Sequence, residues 1–152
     1  MRVQHALGTV DVVGAAGDVV SELEISSGGG IVRLSNPGKV TFSETGTTKA
    51  DVASYFLHVA PVLVPWARNR PATRKRWVDG VGTAAAPGRS FFQKNLDAGT
   101  PDWVCRQRLH HENHDAVYPL INDARTLAWP NALPLRSLPG NHWPTCGCGP
   151  CQ

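Results

Sequence analysis

The sequence predicts an α+β fold, and three observations carry that prediction. Residues 21–34 alternate apolar and polar positions on both sides of a Ser-Ser-Gly-Gly-Gly run, the pattern of two half-buried strands joined by a hairpin. From Lys49 onward, apolar residues recur in steps of three and four, which marks one face of a helix. Beyond Pro71 the chain breaks into short strand-like segments separated by Gly, Pro and Asp clusters, with one further helix signal near Asp123.

Bulk composition narrows the function classes. With 152 residues, 41% hydrophobic and 18% charged, the chain suffices for one globular domain with a core. The net charge of +3 is uneven, because residues 1–30 carry −3 and the rest +6. A basic body favours a polyanionic partner. The first residues lack a basic segment followed by an apolar one, so no signal peptide is expected. The most apolar window, Val59 to Ala67, is short and holds Pro61 and Pro65, so a membrane partner is not expected. Cys105 stands apart from three cysteines near the C-terminus, unlike a secreted disulfide framework. A cytoplasmic protein is expected.

Taken in order, residues 1–20 are rich in Gly, Ala and Val without a sustained period, and a poorly ordered leader is expected there. In Ser21–Ser26, Leu23 and Ile25 share one face and Glu22 and Glu24 the other, a half-buried strand with a solvated acidic side. Ser27–Gly30 is the hairpin loop and Ile31–Leu34 the returning strand. Ser35 to Asp51 then holds a Pro37–Gly38 turn, and Thr47 and Thr48 stand as helix caps. The helical face comprises Val52, Tyr55, Phe56, Val59, Val62, Leu63 and Trp66. Because a mid-helix proline loses a hydrogen bond and clashes, the helix is expected to end near residue 59, with a second short turn from Pro61.

Arg68 to Arg76 carries five basic residues and no acid. Ala72–Trp77 reads as a strand, with Arg74 and Arg76 on one face and Lys75 and Trp77 on the other. Asp79 to Arg89 reads as a loop. Strands are expected at Ser90–Lys94, Trp103–Leu109 and Tyr118–Ile121. His110, His111 and His114, with Glu112, fall in a polar turn, and Cys105 reads as a small core residue. Asp123 caps a helix running through Thr126, Leu127 and Trp129. After Trp129, five prolines interrupt every possible helix, so residues 130–152 are expected to be an irregular tail and residues 21–129 the folded unit.

Two chemistries stand out. Lys39 and Lys49, ten residues apart, follow a turn and a helix start. Unpaired N–H groups at a helix N-terminus favour an anion, and a lysine adds a mobile point charge, so this stretch reads as a phosphate cradle or as a capped helix with two solvated lysines. In the tail, His142, Cys146, Cys148 and Cys151 supply four ligand types that suit zinc.

The runs VRLSNPGKV, TKAD with YF shortly after, APVL, KRW with DG, SFFQK, PDWV and YPLINDARTLAW occur in one order between Glu22 and Trp129. In that order they resemble the polymerase domain of bacterial DNA ligase D, of the archaeo-eukaryotic primase superfamily. The resemblance implies the N-terminal part of a primase-polymerase fold, a mixed β-sheet with packed helices. It also implies that Asn36, Lys39 and Lys49, joined by Lys75, bind the 5′-phosphate of a DNA end, and that Phe91 and Phe92 contact the template strand. Adjacent strand residues point to opposite faces, so one ring is expected in the core and the other stacked on a base, a contact worth about 1–3 kcal/mol.

That family uses Mn2+ or Mg2+ with nucleoside triphosphates, the ions being held by an Asp-x-Asp motif and a later Asp. No Asp-x-Asp occurs in these 152 residues, and the family's Ser-Gly-Lys-Gly block and nucleotide-binding His are also absent, with His142 out of register. A truncated chain with a replaced or frame-shifted tail is therefore expected, with no cofactor of its own. It would bind recessed or gapped DNA ends bearing a 5′-phosphate in double-strand break end joining, alongside ligase and end-joining proteins, without completing catalysis. The alternatives are an active nucleotidyltransferase completed by another chain, and a small zinc-binding or interaction protein built on the tail cysteines.

Overall fold

The chain is organised around one long helix that separates two apolar clusters. The computed structural model describes residues 3–5, 8–11, 22–27, 30–129 and 133–137. The helix, α1, spans Lys49–Ala67. Before it come strands β1 (Val3–His5), β2 (Gly8–Asp11), β3 (Glu22–Ser27), β4 (Gly30–Ser35), β5 (Val40–Phe42) and β6 (Thr47–Thr48). After it come β7 (Ala72–Trp77), β8 (Ser90–Gln93), β9 (Arg106–His111), β10 (His114–Pro119), the short helix α2 (Ala124–Ala128) and β11 (Leu133–Ser137). Among the described residues these strands form sheets β1-β2-β3-β4, β11-β7-β8, β10-β9 and β5-β6, and every pairing is antiparallel. The α+β class holds, with several small antiparallel sheets where one mixed sheet was expected.

The β3–β4 hairpin follows from its alternation. Leu23, Ile25, Val32 and Leu34 are buried together, while Glu24 on the outer face meets Arg33 at 3.1 Å. That inner face packs on α1 through Ala53, flanked by Ala50, Leu57, Trp103 and Trp129. The second cluster lies on another side of α1, where Val52, Phe56, Ala60 and Val64 meet Ala72, Ile121 and Leu127. The two clusters use adjacent helix rows, so α1 touches both halves of the structure.

Several expectations change. Helix α1 runs through Pro61 and Pro65 to Ala67 instead of stopping near residue 59. Both prolines are exposed, while Ala60 and Val64 beside them stay buried and favour continuing the helix. The buried face is also rotated from the expected one: Tyr55, Val62 and Trp66 are exposed, Trp66 at 74%, and the small Ala53 and Ala60 take the contacts. Val52 and Phe56 of the expected face are buried, with Val59 and Leu63 packed against them, but apolar character alone also drew in the exposed row and missed the small residues, which permit closer packing. The helix ends where Asn69 turns left-handed at φ 59°, a conformation asparagine tolerates. The Asn69 N–H donates to Asn122 Oδ1 at 2.8 Å.

The supposed leader contains β1 and β2, with β2 pairing to β3 through Val10↔Ile25 and Asp11↔Glu24. The supposed irregular tail contains β11, which pairs with β7 through Leu133↔Lys75, Pro134↔Arg74 and Ser137↔Ala72. A proline is acceptable in such an edge strand, where its missing N–H can face outward. The strand expected from Trp103 begins at Arg106, because Pro101–Val104 closes a turn in which the Val104 N–H donates to the Pro101 carbonyl at 3.1 Å. The one expected at Tyr118–Ile121 is β10, shifted earlier to His114–Pro119. His111 and His114 pair across the β9–β10 hairpin, leaving Glu112 and Asn113 as its turn. Asp123 caps α2 as expected, its Oδ1 accepting from the Thr126 N–H at 2.7 Å. No described helix is long and apolar enough to cross a membrane.

The start of α1 is a capping box. Thr48 Oγ1 accepts from the Asp51 N–H at 3.3 Å and the Asp51 carboxylate accepts from the Thr48 N–H at 2.8 Å. The Thr48 hydroxyl also donates to Asp51, and these hydrogen bonds hold the Asp51 carboxyl below its ordinary pKa. Thr48→Ala is expected to cost about 1 kcal/mol. A carboxyl lowered in the folded state stabilises above its unfolded pKa of about 4, and that contribution is lost as pH falls through the folded value. The gap between parent and Thr48→Ala in urea unfolding should therefore be full at neutral pH and shrink in acid. An equal gap at both would refute the capping box as its source.

Candidate functional site

The turn after β4 and the start of α1 are sewn together by backbone bonds. The Lys39 N–H donates to the Asn36 carbonyl at 3.0 Å, closing the expected turn at Pro37–Gly38. The left-handed residue of that turn is Asn36, at φ 50°. The Lys49 N–H then donates to the Lys39 carbonyl at 2.9 Å and the Ala50 N–H to the Pro37 carbonyl at 3.0 Å. With the Asp51 N–H held by Thr48, the first three amides of α1 are all engaged. This corrects the expectation that free helix amides would cradle an anion: the turn and the cap consume them.

Side chains take over that role. Asn36, Lys39 and Lys49 line one cavity of about 440 Å³, together with Arg33, Arg74 and Arg76. The Lys49 Nζ donates to the Ser35 carbonyl at 2.6 Å and the Lys39 Nζ to the Val78 carbonyl at 2.6 Å. Each lysine is thereby held near the cavity with donors to spare. Burial lowers the pKa of Lys49, and the charges of Lys39 and Arg76 lower it further, the signature of cations crowded without enough counter-charge. Among the described residues the lining holds five cationic side chains against one carboxylate, Asp97. Such a site suits an anion.

Arg74, within a run of five basic residues, is only 3% exposed. Its guanidinium lies 5.3 Å from the Trp129 ring centre, and its Nε is buried without a hydrogen-bond partner among the described residues. Burial lowers its pKa, Asp97 opposes that shift and Arg76 adds to it; an arginine stays charged regardless. Arg74 and Arg76 reach the cavity because residues two apart in β7 share a face. That signal was legible in the sequence, whereas Arg33, Asp97 and Trp129 come from distant segments and left none.

Lys75 does not join them. It is absent from the cavity lining, and its Nζ lies 4.7 Å from the Trp77 ring centre and 5.7 Å from that of Phe92. The β7–β8 register explains this, pairing Arg74 with Gln93, Arg76 with Phe91 and Lys75 with Phe92. Directly opposed residues share a face, so Phe91 sits on the arginine side and Phe92 on the Lys75 side. Neither ring enters the core, as Phe91 is 45% and Phe92 56% exposed. Strand β8 is an edge, so one core-facing and one outward ring was the wrong expectation. Both rings are free to meet a ligand, on different faces.

Divalent ions would need clustered carboxylates. Among the described residues no group of three or more His, Cys, Asp or Glu is placed to hold a metal ion, and the cationic cavity does not fit one. The candidate zinc ligands His142, Cys146, Cys148 and Cys151 lie outside the described residues.

Comparison with known proteins bears on this arrangement. The family model described as LigD, primase-polymerase domain matches residues 48–139, ten residues past Trp129, where a departure from the family was expected. The chain is 46% identical over 98 residues to the multifunctional non-homologous end joining protein LigD of Mycolicibacterium smegmatis, covering 64% of this chain and 12% of that protein. It is 32% identical over 91 residues to the bifunctional non-homologous end joining protein LigD of Bacillus subtilis, covering 60% of this chain and 13% of that one. The chain thus matches about an eighth of the length of these relatives. Among solved structures it resembles the polymerase domain of Mycobacterium tuberculosis ligase D in complex with DNA, with a TM-score of 0.58 and 41% identity over 64% of this chain and 32% of that one.

Proposed function

The chain belongs to the family of LigD primase-polymerase domains, and from that premise we propose that it binds DNA ends through a terminal 5′-phosphate, as a module of end-joining repair. The observation that carries this reading is the single cavity in which Asn36, Lys39 and Lys49 converge with three arginines. A terminal phosphate carries about −1.5 to −2 charge at pH 7 and three strong acceptor oxygens, against a single charge on an internal diester. Lysines with spare donors and the fork of Arg76 can use that difference. The exposed ring of Phe91 lies on the arginine face of the β7–β8 ribbon and that of Phe92 on the opposite face, where unstacked bases of a gap or overhang could stack. Nucleotide transfer would need a carboxylate cluster supplied from outside the described residues.

The test is equilibrium binding of a gapped duplex bearing either a 5′-phosphate or a 5′-hydroxyl, at fixed salt because the electrostatic part of affinity varies steeply with it. The phosphorylated duplex is expected to bind at least about tenfold more tightly, the scale of one or two charge-assisted hydrogen bonds. Equal binding would overturn the reading. The same duplex with Mn2+ and ribonucleotides separates end binding from catalysis: the chain alone is expected to extend no primer, and template-dependent extension would make it a nucleotidyltransferase.

A further inference from the structure

Among the described residues Asp97 is the only carboxylate in the cavity lining, facing five cationic side chains. Its Oδ2 lies 3.8 Å from Arg74 Nη2 and 3.8 Å from Arg76 Nη1. A tight guanidinium–carboxylate contact is about 2.7–2.9 Å, so Asp97 neutralises both arginines without saturating either. Its position is fixed from the other side, where Gln93 Nε2 donates to Oδ1. The arginines are oriented by other groups. Arg76 Nη1 donates to Gln93 Oε1 at 2.8 Å, and Arg74 Nη2 to the Asn95 carbonyl at 3.4 Å, with its guanidinium against Trp129. The buried Nε of Arg74 remains unsatisfied. This is a cation cluster loosely occupied by an anion of its own.

We propose that Asp97 is the resident counter-anion of the cavity, which an incoming terminal phosphate displaces from Arg74 and Arg76, so that Asp97 sets how tightly a phosphorylated end is held and how readily it is released. The proposal rests on the phosphate reading above. Asp97 lowers the positive potential of the cavity, and the energy lost by a ligand scales with its charge. A doubly charged terminus therefore loses more than a diester backbone ending in a hydroxyl. An end-processing module gains from this, because an end held too tightly cannot pass to the next step.

The test uses the full chain with Asp97→Asn, and with Asp97→Ser in case the asparagine variant fails to fold. Asp102→Asn serves as the control: it removes the same charge at an exposed position that meets Arg106 at 4.0 Å, away from the cavity lining. On the gapped duplex with a 5′-phosphate, Asp97→Asn is expected to bind about fivefold tighter, the scale of a partly exposed charge pair, chiefly through slower dissociation. The hydroxyl duplex should gain less, so the preference for phosphate rises, while Asp102→Asn leaves that preference unchanged. If Asp97 instead orients the arginines, its neutral variants will weaken phosphate binding and speed dissociation, which overturns the proposal. An unchanged preference also overturns it. If the parent shows no preference for phosphate, the phosphate reading and this proposal both fall; if the parent prefers phosphate and the variants do not raise that preference, the proposal alone falls.

Discussion

Replacing Lys39 and Lys49 together by alanine is expected to abolish discrimination between 5′-phosphate and 5′-hydroxyl ends. Each ammonium is anchored on a backbone carbonyl beside the cavity, so both present remaining donors to one anion. Charge-assisted hydrogen bonds contribute about 1.5–3 kcal/mol each, which places the loss at tenfold or more for the phosphorylated duplex. The hydroxyl duplex should lose only the general electrostatic share. Phe92→Ala provides the contrast: its exposed ring faces away from the arginine side, so its loss should weaken both duplexes alike. Fluorescence anisotropy at fixed salt, on variants whose thermal midpoints match the parent's, makes the comparison. A double variant that keeps the phosphate preference would show that the two lysines are ordinary surface charge.

Phe56→Ala should be the most damaging single core substitution on α1. Phe56 is 4% exposed and packs with Val52, Ala60, Val64, Ala72, Ile121 and Leu127. Truncating such a ring costs about 3–5 kcal/mol, a large part of the 5–15 kcal/mol typical of a folded domain. Trp66→Ala, on the exposed row of the same helix, should change stability by no more than about 0.5 kcal/mol. Urea unfolding of the two variants distinguishes the observed helix face from the one that hydrophobicity alone suggested, which grouped both residues. Comparable losses would mean that the hydrophobicity-based grouping is the correct one.

What was legible in the sequence was local. Alternation placed Leu23 and Ile25 on one face and marked Ile31–Leu34 as the returning strand without any tertiary information, and Thr48 and Asp123 marked their helix starts by cap chemistry. Family resemblance named Asn36, Lys39 and Lys49, which the fold brings to one cavity. What failed was decided by neighbours. The prolines of α1 look like breakers until the exposure of their own side is known. Lys75 looks like a cavity residue until the pairing with Phe92 fixes its face. Arg74 looks solvated in a run of five basic residues, and only the approach of Trp129 from the far end of the fold closes over it. The β2–β3 and β11–β7 pairings join segments separated in sequence and leave no periodic trace in stretches rich in Gly or Pro.

The closed start of α1 has a consequence for how this surface can change over time. Because Thr48, Asp51 and the carbonyls of Pro37 and Lys39 satisfy the helix amides internally, the scaffold does not depend on a bound anion to complete itself. Recognition is delegated to long side chains projecting from a finished frame. Natural drift or deliberate redesign can therefore exchange, reverse or erase the charges at the cavity one at a time, retuning which end chemistry is accepted, while the hydrogen bonds that start the helix stay as they are.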